Sequence, residues 1–183
     1  MTTTILILAE HVAGKPKQAT FELMSVARRL AQPLNAEVHA LALGAGATQA
    51  AAELGDWGAR AIYTVETGFE CYAPLRHVRI ISELARRQRS SLILMSDGAL
   101  SCDIVGRVAM RLGGTLASDC VNLTISNGHL QLVRLILAGR ARIEAKLNGT
   151  SPLVATLRPN AFDVAKPVIT APGQIAPLTF ADA

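Results

Sequence analysis

Short apolar runs alternate with segments of helical periodicity over the first 112 residues. Continuous apolar runs are typical of strands buried on both faces of a parallel sheet, and they cover residues 5–9, 38–43, 62–65 and 92–95. Apolar residues then recur at helical spacing in four segments, at residues 21–31, 48–54, 74–85 and 101–112. Such alternation requires right-handed crossovers, so the sequence predicts an α/β fold with a doubly wound, mostly parallel sheet.

The helix ends carry local signals of their own. Pro33 is expected to stop the first helix, and Thr48 is expected to cap the second. Pro74 suits the first turn of the third helix, because a helix leaves that amide unpaired. Ser101 or Asp103 is expected to begin the fourth.

After Gly113-Gly114 the pattern changes to that of strands. Residues 121–125 alternate between apolar and polar, Asn127-Gly128 is a strong hairpin signal, and residues 130–137 read as the returning strand. Residues 141–147 and 153–157 are further strand candidates, separated by a turn at Asn148-Gly149. The sequence predicts a strand-rich, antiparallel C-terminal extension that completes or flanks the sheet.

From Lys166 onward the periodicity is lost, and several prolines follow. This composition is typical of a linker. We therefore predict one domain over residues 1–163 and a linker-like tail over residues 164–183.

Composition and charge exclude several classes of protein. Half of the 183 residues are hydrophobic, which excludes a disordered chain, and no apolar stretch approaches the ~20 residues of a membrane span. The formal charge is +4, but the basic residues are spread out and aromatic residues make up only 4%, so a nucleic-acid partner is not expected. Cys71, Cys102 and Cys120 are far apart in the sequence, and they are predicted to be reduced and buried as small hydrophobic residues. No basic residue precedes the first apolar run, which therefore does not resemble a signal peptide. A cytoplasmic location is expected.

The best candidate binding loop follows the fourth predicted strand. Ligands of open α/β sheets sit at the carboxyl ends of strands, and a helix N-terminus there favours an anion. The residues that could contribute are Ser96, Asp97, Gly98, Ser101 and Asp103. An ordinary strand–helix turn with a capping Ser or Asp is the favoured interpretation, because helix caps of this type are common. The carboxylates of Asp97 and Asp103 would also weaken the binding of a phosphate.

Other sites of chemistry are not indicated. Gly44-Ala45-Gly46 lacks the third glycine of the dinucleotide fingerprint and does not follow the first strand. The four histidines are distant from one another and have no metal-ligand spacing. We predict no catalytic residue and no metal site in this chain.

Three arginines of the strand-rich part are candidates for an interface. Arg134, Arg140 and Arg158 adjoin apolar strands, and Arg is favoured at interfaces because its planar fork pairs bidentately. A solvated strand face explains them equally well, and both interpretations stay open.

Segments along most of the chain resemble the electron-transfer flavoprotein α subunit in order and spacing. They include Ser118-Asp119-Cys120, similar to S-D-C, and Val154 to Phe162, similar to V-x-T-x-R-P-x-x-F. The other similar segments are residues 5–11, 38–44, 51–54, 58–66, 96–112 and 134–141. The chain departs from the family pattern at Cys102, Leu137 and Arg140, which puts inherited contacts at those positions in doubt.

The resemblance implies an N-terminal α/β domain of adenine-nucleotide-hydrolase-like topology that docks a β subunit in a heterodimer. It further implies FAD in the intact complex, bound by a C-terminal domain that nothing in this sequence matches, and AMP on the β subunit. Electrons would pass from dehydrogenases through the flavin to a quinone reductase or another acceptor. The leading hypothesis is therefore a non-catalytic scaffold of an electron carrier. The alternative is an adenine-nucleotide-binding module of universal-stress-protein type, although its glycine signature is absent.

Overall fold

Eleven strands and four α-helices form within the residues that the computed structural model describes, which are 3–127, 129–147, 152–167 and 173–178. The strands are β1 (Thr3–Ala9), β2 (His11–Val12), β3 (Lys15–Pro16), β4 (Ala36–Leu43), β5 (Ala61–Val65), β6 (Ser90–Ser96), β7 (Thr115–Ser126), β8 (His129–Ile136), β9 (Ala141–Leu147), β10 (Leu153–Leu157) and β11 (Gln174–Pro177). The helices are α1 (Gln18–Leu34), α2 (Ala47–Leu54), α3 (Pro74–Arg87) and α4 (Ala99–Leu112), with a 3₁₀ turn at Gly55–Trp57.

Nine of these strands form one sheet in the order β11-β5-β4-β1-β6-β10-β7-β8-β9. Every neighbouring pair from β11 to β7 is parallel, and β7, β8 and β9 pair antiparallel. The predicted fold class is therefore confirmed. The chain moves from β1 to β4 and β5 on one side and then returns to β6 on the other, so the switch in strand order lies between β1 and β6.

The place of β10 differs from expectation. It was grouped with the antiparallel extension, but it lies between β6 and β7 and is parallel to both. All five of its residues are buried, as in a strand covered on both faces. The antiparallel part is confined to β7, β8 and β9.

Several helix ends also differ from the sequence prediction. Pro33 lies inside the last turn of α1, and the helix ends where Asn35 adopts a left-handed conformation with φ 47°. Helix α4 begins at Ala99, ahead of both residues expected to start it, with Gly98 at its N-cap. Gly46, rather than Thr48, occupies the N-cap of α2.

Some short elements were not predicted. The β2–β3 hairpin follows β1 directly, and β11 adds to the sheet edge beside β5 from within the segment predicted to be linker-like. The division at residue 163 stays a prediction. The β7–β8 hairpin is confirmed by its pairing, with Asn127 at φ 52°, although Gly128 itself, like the Asn148-Gly149 turn, lies outside the described residues.

Apolar side chains cover both faces of the sheet. Helix α1 packs on one face, over a cluster that includes Ile5, Leu23 and Met24, and α3 and α4 pack on the other, over one that includes Ile81 and Ile93. Within the described residues, none of the helices combines the length and apolar character needed to cross a bilayer. Burial was predicted for all three cysteines; this is correct for Cys120 but wrong for Cys71 and Cys102, which are exposed in the loop before α3 and on α4.

Candidate functional site

A cleft opens at the carboxyl ends of the central strands, at the switch in strand order. Its larger part is a cavity of about 710 Å³, and an adjoining cavity of about 400 Å³ shares His11, Leu43, His77 and Leu100 with it. The lining includes the ends of β1 and β4, His11 of β2, the loop at residues 69–72, His77 of α3, and Gly98 with the start of α4. This is where open α/β sheets bind ligands.

The loop predicted as a binding site reaches this cleft only at Gly98 and the two residues after it. The Ser101 hydroxyl accepts a hydrogen bond from the Gly98 amide (2.8 Å) and donates to the Ser96 carbonyl, so it caps α4. Asp103 interacts with Arg107 (3.2 Å) and accepts a hydrogen bond from the Tyr72 hydroxyl. All of these predicted residues make contacts inside the protein, Gly98 through its amide, and their role toward a ligand stays a prediction.

The remaining predicted residue, Asp97, belongs to a hydrogen-bond network that joins three neighbouring strands. The buried Thr156 hydroxyl donates to Asp97 Oδ1 (2.6 Å) and accepts from the Asp119 amide (2.7 Å). Arg158 donates hydrogen bonds from Nε and Nη2 to the two oxygens of the Asp119 carboxylate, at 2.8 and 2.6 Å. These bonds lower the pKa of the Asp119 carboxyl group. The S-D-C and V-x-T-x-R-P segments thus meet in space and hold β6, β7 and β10 together.

The glycine-containing turn after β4 is filled by a side chain of the protein itself. The Glu66 carboxylate accepts hydrogen bonds from the Gly46 amide (2.9 Å) and the Thr48 amide (2.6 Å), and these bonds lower the pKa of Glu66. A phosphate at the start of α2 would have to displace this carboxylate. This contact is consistent with the sequence of the turn, which lacks the third glycine of the dinucleotide fingerprint.

Two histidines that sequence reasoning set aside lie in the cleft wall. His11 Nε2 is 3.1 Å from the Leu43 carbonyl oxygen, and His77 Nδ1 is 2.8 Å from the Ala73 carbonyl oxygen. The His77 ring meets Phe69 edge-on with centroids 4.6 Å apart. The sequence did not indicate that His11 and His77 share one cleft, because they lie far apart along the chain. Only the rule that ligands sit at strand ends could have indicated it.

The three predicted interface arginines lie in different surroundings. Arg158 is engaged with Asp119, as described above, and Arg140 is exposed in the turn between β8 and β9. Arg134 is half-buried on β8, opposite Ile143 of β9, and its buried Nε has no hydrogen-bond partner. This Nε atom is buried, and a buried donor without a partner costs about 1–3 kcal/mol.

Around Arg134 lies an apolar sheet face, here termed the extension face. Sheet register places on one side the residues Ile125, Leu130, Leu132, Arg134, Ile136, Ile143, Ala145 and Leu147. Only Leu132 of this set is fully buried, at 3% exposure, whereas Ile143 is 44% exposed. The face continues the core cluster outward onto β9, the outermost strand.

Within the part of the chain that the structure describes, no three His, Cys, Asp or Glu residues come together in a way that could hold a metal ion. Burial raises the pKa of the Cys120 thiol to about 11, so this side chain behaves as a core hydrophobe.

Comparisons with known proteins agree on one family. A family model described as the electron transfer flavoprotein domain matches residues 5–183. The electron transfer flavoprotein subunit alpha of Thermoanaerobacterium thermosaccharolyticum is 30% identical over 157 residues, which cover 85% of this chain and 48% of that protein. Those of Megasphaera elsdenii and Mycobacterium tuberculosis H37Rv are 27% and 30% identical, covering 93% and 94% of this chain and 52% of each relative. The chain spans about half the length of the curated relatives it matches.

Proposed function

The chain belongs to the electron transfer flavoprotein family, and from that premise we propose that it is an α-subunit-like scaffold that docks a β subunit. Its part in electron transfer is then to hold partners in place. The observation that carries the proposal is the extension face, which exposes apolar side chains such as Ile143 around the half-buried Arg134.

The chemistry of the extension face suits a protein partner. Partly buried aliphatic residues surround the buried Leu132, Ile143 on β9 is 44% exposed, and the half-buried Arg134 lies among them. An acidic side chain of the β subunit is expected to pair with Arg134, because Arg is enriched at interfaces and pairs well with carboxylates. Arg140, exposed at the adjoining turn, is expected at the rim, whereas Arg158 supports the docking surface from within through Asp119.

The described residues of the cleft do not fit the pyrophosphate of FAD. At the start of α2 the Glu66 carboxylate takes the amides, and at the start of α4 the Gly98 amide is bonded to Ser101. Asp97 and Asp103 add negative charge there. We therefore assign the FAD of the intact complex to parts outside the described residues, and AMP to the β subunit.

The same proposal extends to the wider partners. As a component of an electron carrier, the chain would serve dehydrogenases on one side and a quinone reductase or other acceptor on the other, through the complex and not by direct chemistry. The predicted cytoplasmic location stays a prediction.

Co-elution with the β subunit of the same organism tests the proposal. We expect the purified chain and the β subunit to elute together at equal stoichiometry on size-exclusion chromatography. Ile143→Asp, which places a carboxylate on the extension face, should abolish co-elution. Gln131→Asp is the matched control, since it adds the same charge on the opposite face of the neighbouring strand and should leave the complex intact. Separate elution of the unmodified chain and the β subunit would refute the proposal.

The alternative of a universal-stress-protein-type nucleotide module rests on the cleft. It predicts that AMP or ATP binds the isolated chain tightly in a calorimetric titration, whereas the scaffold proposal expects weak binding or none. The carboxylates around both helix N-termini favour the scaffold.

A further inference from the structure

The cleft at the switch in strand order has the size and lining of a small-molecule site. Its larger cavity, at about 710 Å³, falls in the range of ligand pockets, roughly 300–1,000 Å³. Leu43 and Leu100 contribute aliphatic surface, and Phe69 and His77 contribute two rings in edge-to-face contact. Aliphatic surface beside aromatic rings suits a planar ring system.

Polar groups stand at the edges of this apolar surface. The Tyr72 hydroxyl lies on the lining and is held by Asp103, and the hydrogen bond to that carboxylate raises the pKa of the phenol. His77 Nδ1 lies 2.8 Å from the Ala73 carbonyl oxygen, and its ring contacts Phe69 edge-on. A ligand with nitrogen or hydroxyl groups around a flat ring can use such edges.

Charge limits the kind of ligand that fits. Lys17 is the one Lys or Arg among the described residues that line the cleft, and it is paired with Glu10 at 2.8 Å. Glu70 also lines the cleft, and the Asp103 carboxylate is hydrogen-bonded to the lining residue Tyr72. His11 Nε2 lies within hydrogen-bond distance of the Leu43 carbonyl oxygen, at 3.1 Å. The Arg76 guanidinium lies 5.8 Å from the Phe69 ring centroid but is not on the cleft lining. A phosphate in the cleft would therefore face the Glu70 carboxylate, with Lys17 already paired to Glu10.

From this cleft we infer that the chain binds an uncharged nitrogen heteroaromatic of nucleoside size, and that it discriminates against the phosphorylated form. The ring stacks against the aliphatic surface beside Phe69 and His77, and its polar edge faces Tyr72. This site is independent of the extension face, which lies on β7–β9 at the far side of the sheet order.

Calorimetric titration of the isolated chain with adenosine and with AMP tests the inference. Adenosine is expected to bind at least about tenfold more tightly than AMP, corresponding to about 1.4 kcal/mol. AMP binding as tightly as adenosine, or no adenosine binding at millimolar concentration, would overturn it.

Substitutions locate the site. Ala99→Trp, at the exposed first position of α4 on the cleft lining, should fill the cavity and abolish adenosine binding. Met110→Trp, exposed near the other end of the same helix, is the matched control and should leave binding unchanged. Phe69→Leu keeps an apolar side chain but removes one ring, so it should weaken binding even if the tryptophan variant fails to fold. Unchanged adenosine affinity in both Ala99→Trp and Phe69→Leu would contradict the assignment of the site to the cleft. This outcome does not depend on whether the chain binds the β subunit.

Discussion

At the scale of single residues, Thr156 joins three neighbouring strands. Its buried hydroxyl bonds to both Asp97 and the Asp119 amide, so its loss removes two hydrogen bonds from the interior. Thr156→Val keeps the shape of the side chain and is expected to lower the free energy of unfolding by about 1–3 kcal/mol, measured by urea denaturation.

The control for this variant is a second buried threonine. Thr64 is also buried, but its hydroxyl has no hydrogen-bond partner. Thr64→Val should therefore be neutral or stabilising, because it removes an unpaired polar atom. Equal destabilisation by both variants would show that the network does not hold the strands together.

His39 makes stability depend on pH in a defined window. Burial lowers its pKa below 6.5, outweighing the nearby Glu37 carboxylate, which raises it; Arg60 also lowers it. The folded state then binds this proton less readily than the unfolded state, so stability is full above pH 6.5 and falls as the pH drops below that value.

Urea denaturation at pH 7.5 and 5.5 measures this effect. The midpoint is expected to be lower at pH 5.5, and His39→Gln should reduce the difference between the two midpoints. Carboxyl groups that are paired in the fold, such as Asp119, protonate at lower pH. The pH range from 7.5 to 5.5 therefore separates the effect of His39 from theirs. An unchanged pH dependence in the variant would exclude His39 as its source.

At the scale of elements, the glycines of α4 and of the turn before α2 have opposite requirements. Gly106 lies inside α4, and a Cβ there meets nothing within 4 Å. Gly106→Ala should therefore stabilise the protein by about 0.5–1 kcal/mol, as expected for a helix interior.

Gly46 provides the contrasting case. It has φ +88°, and a Cβ there would lie 2.7 Å from the Gly14 backbone nitrogen. Gly46→Ala should destabilise by more than about 1 kcal/mol, since both the conformation and the contact resist a side chain. Thermal denaturation of the two variants side by side measures this, and a shift in the same direction for both would contradict the assigned turn geometry.

The elements also show what the sequence could predict. Buried parallel strands appear as continuous apolar runs, which is why β1, β4, β5 and β6 were found, and alternation revealed the β7–β8 hairpin. The position of β10 could not be read, because an apolar run carries no information about its neighbours in the sheet. Strand β11 has only four residues, half-buried or exposed, and therefore gives no hydrophobic signal.

The candidate site was less predictable than the fold, because a sequence pattern does not show which distant residues become neighbours. The loop from Ser96 to Asp103 was placed correctly at a strand end, but its side chains turn to Thr156, Arg107 and the start of α4. The cleft lining comes from segments separated by up to about 90 positions, including His11 and Leu100. Only the topology of the sheet brings these residues together.

At the scale of the whole molecule, two surfaces are expected to perform separate tasks. The extension face, on the antiparallel end of the sheet, is proposed to dock the β subunit, and the cleft, at the switch in strand order, is inferred to hold a small neutral ligand. Such a separation would let the chain support an electron-transfer complex without carrying its flavin.

Hydrogen exchange of the chain with and without the β subunit tests the central claim most directly. We predict slower amide exchange in β8 and β9 when the β subunit is present, and unchanged exchange in the loop at residues 69–72 and at the start of α4. Slower exchange at the cleft with none on β8 and β9, or no change anywhere in the chain, would contradict docking through the extension face.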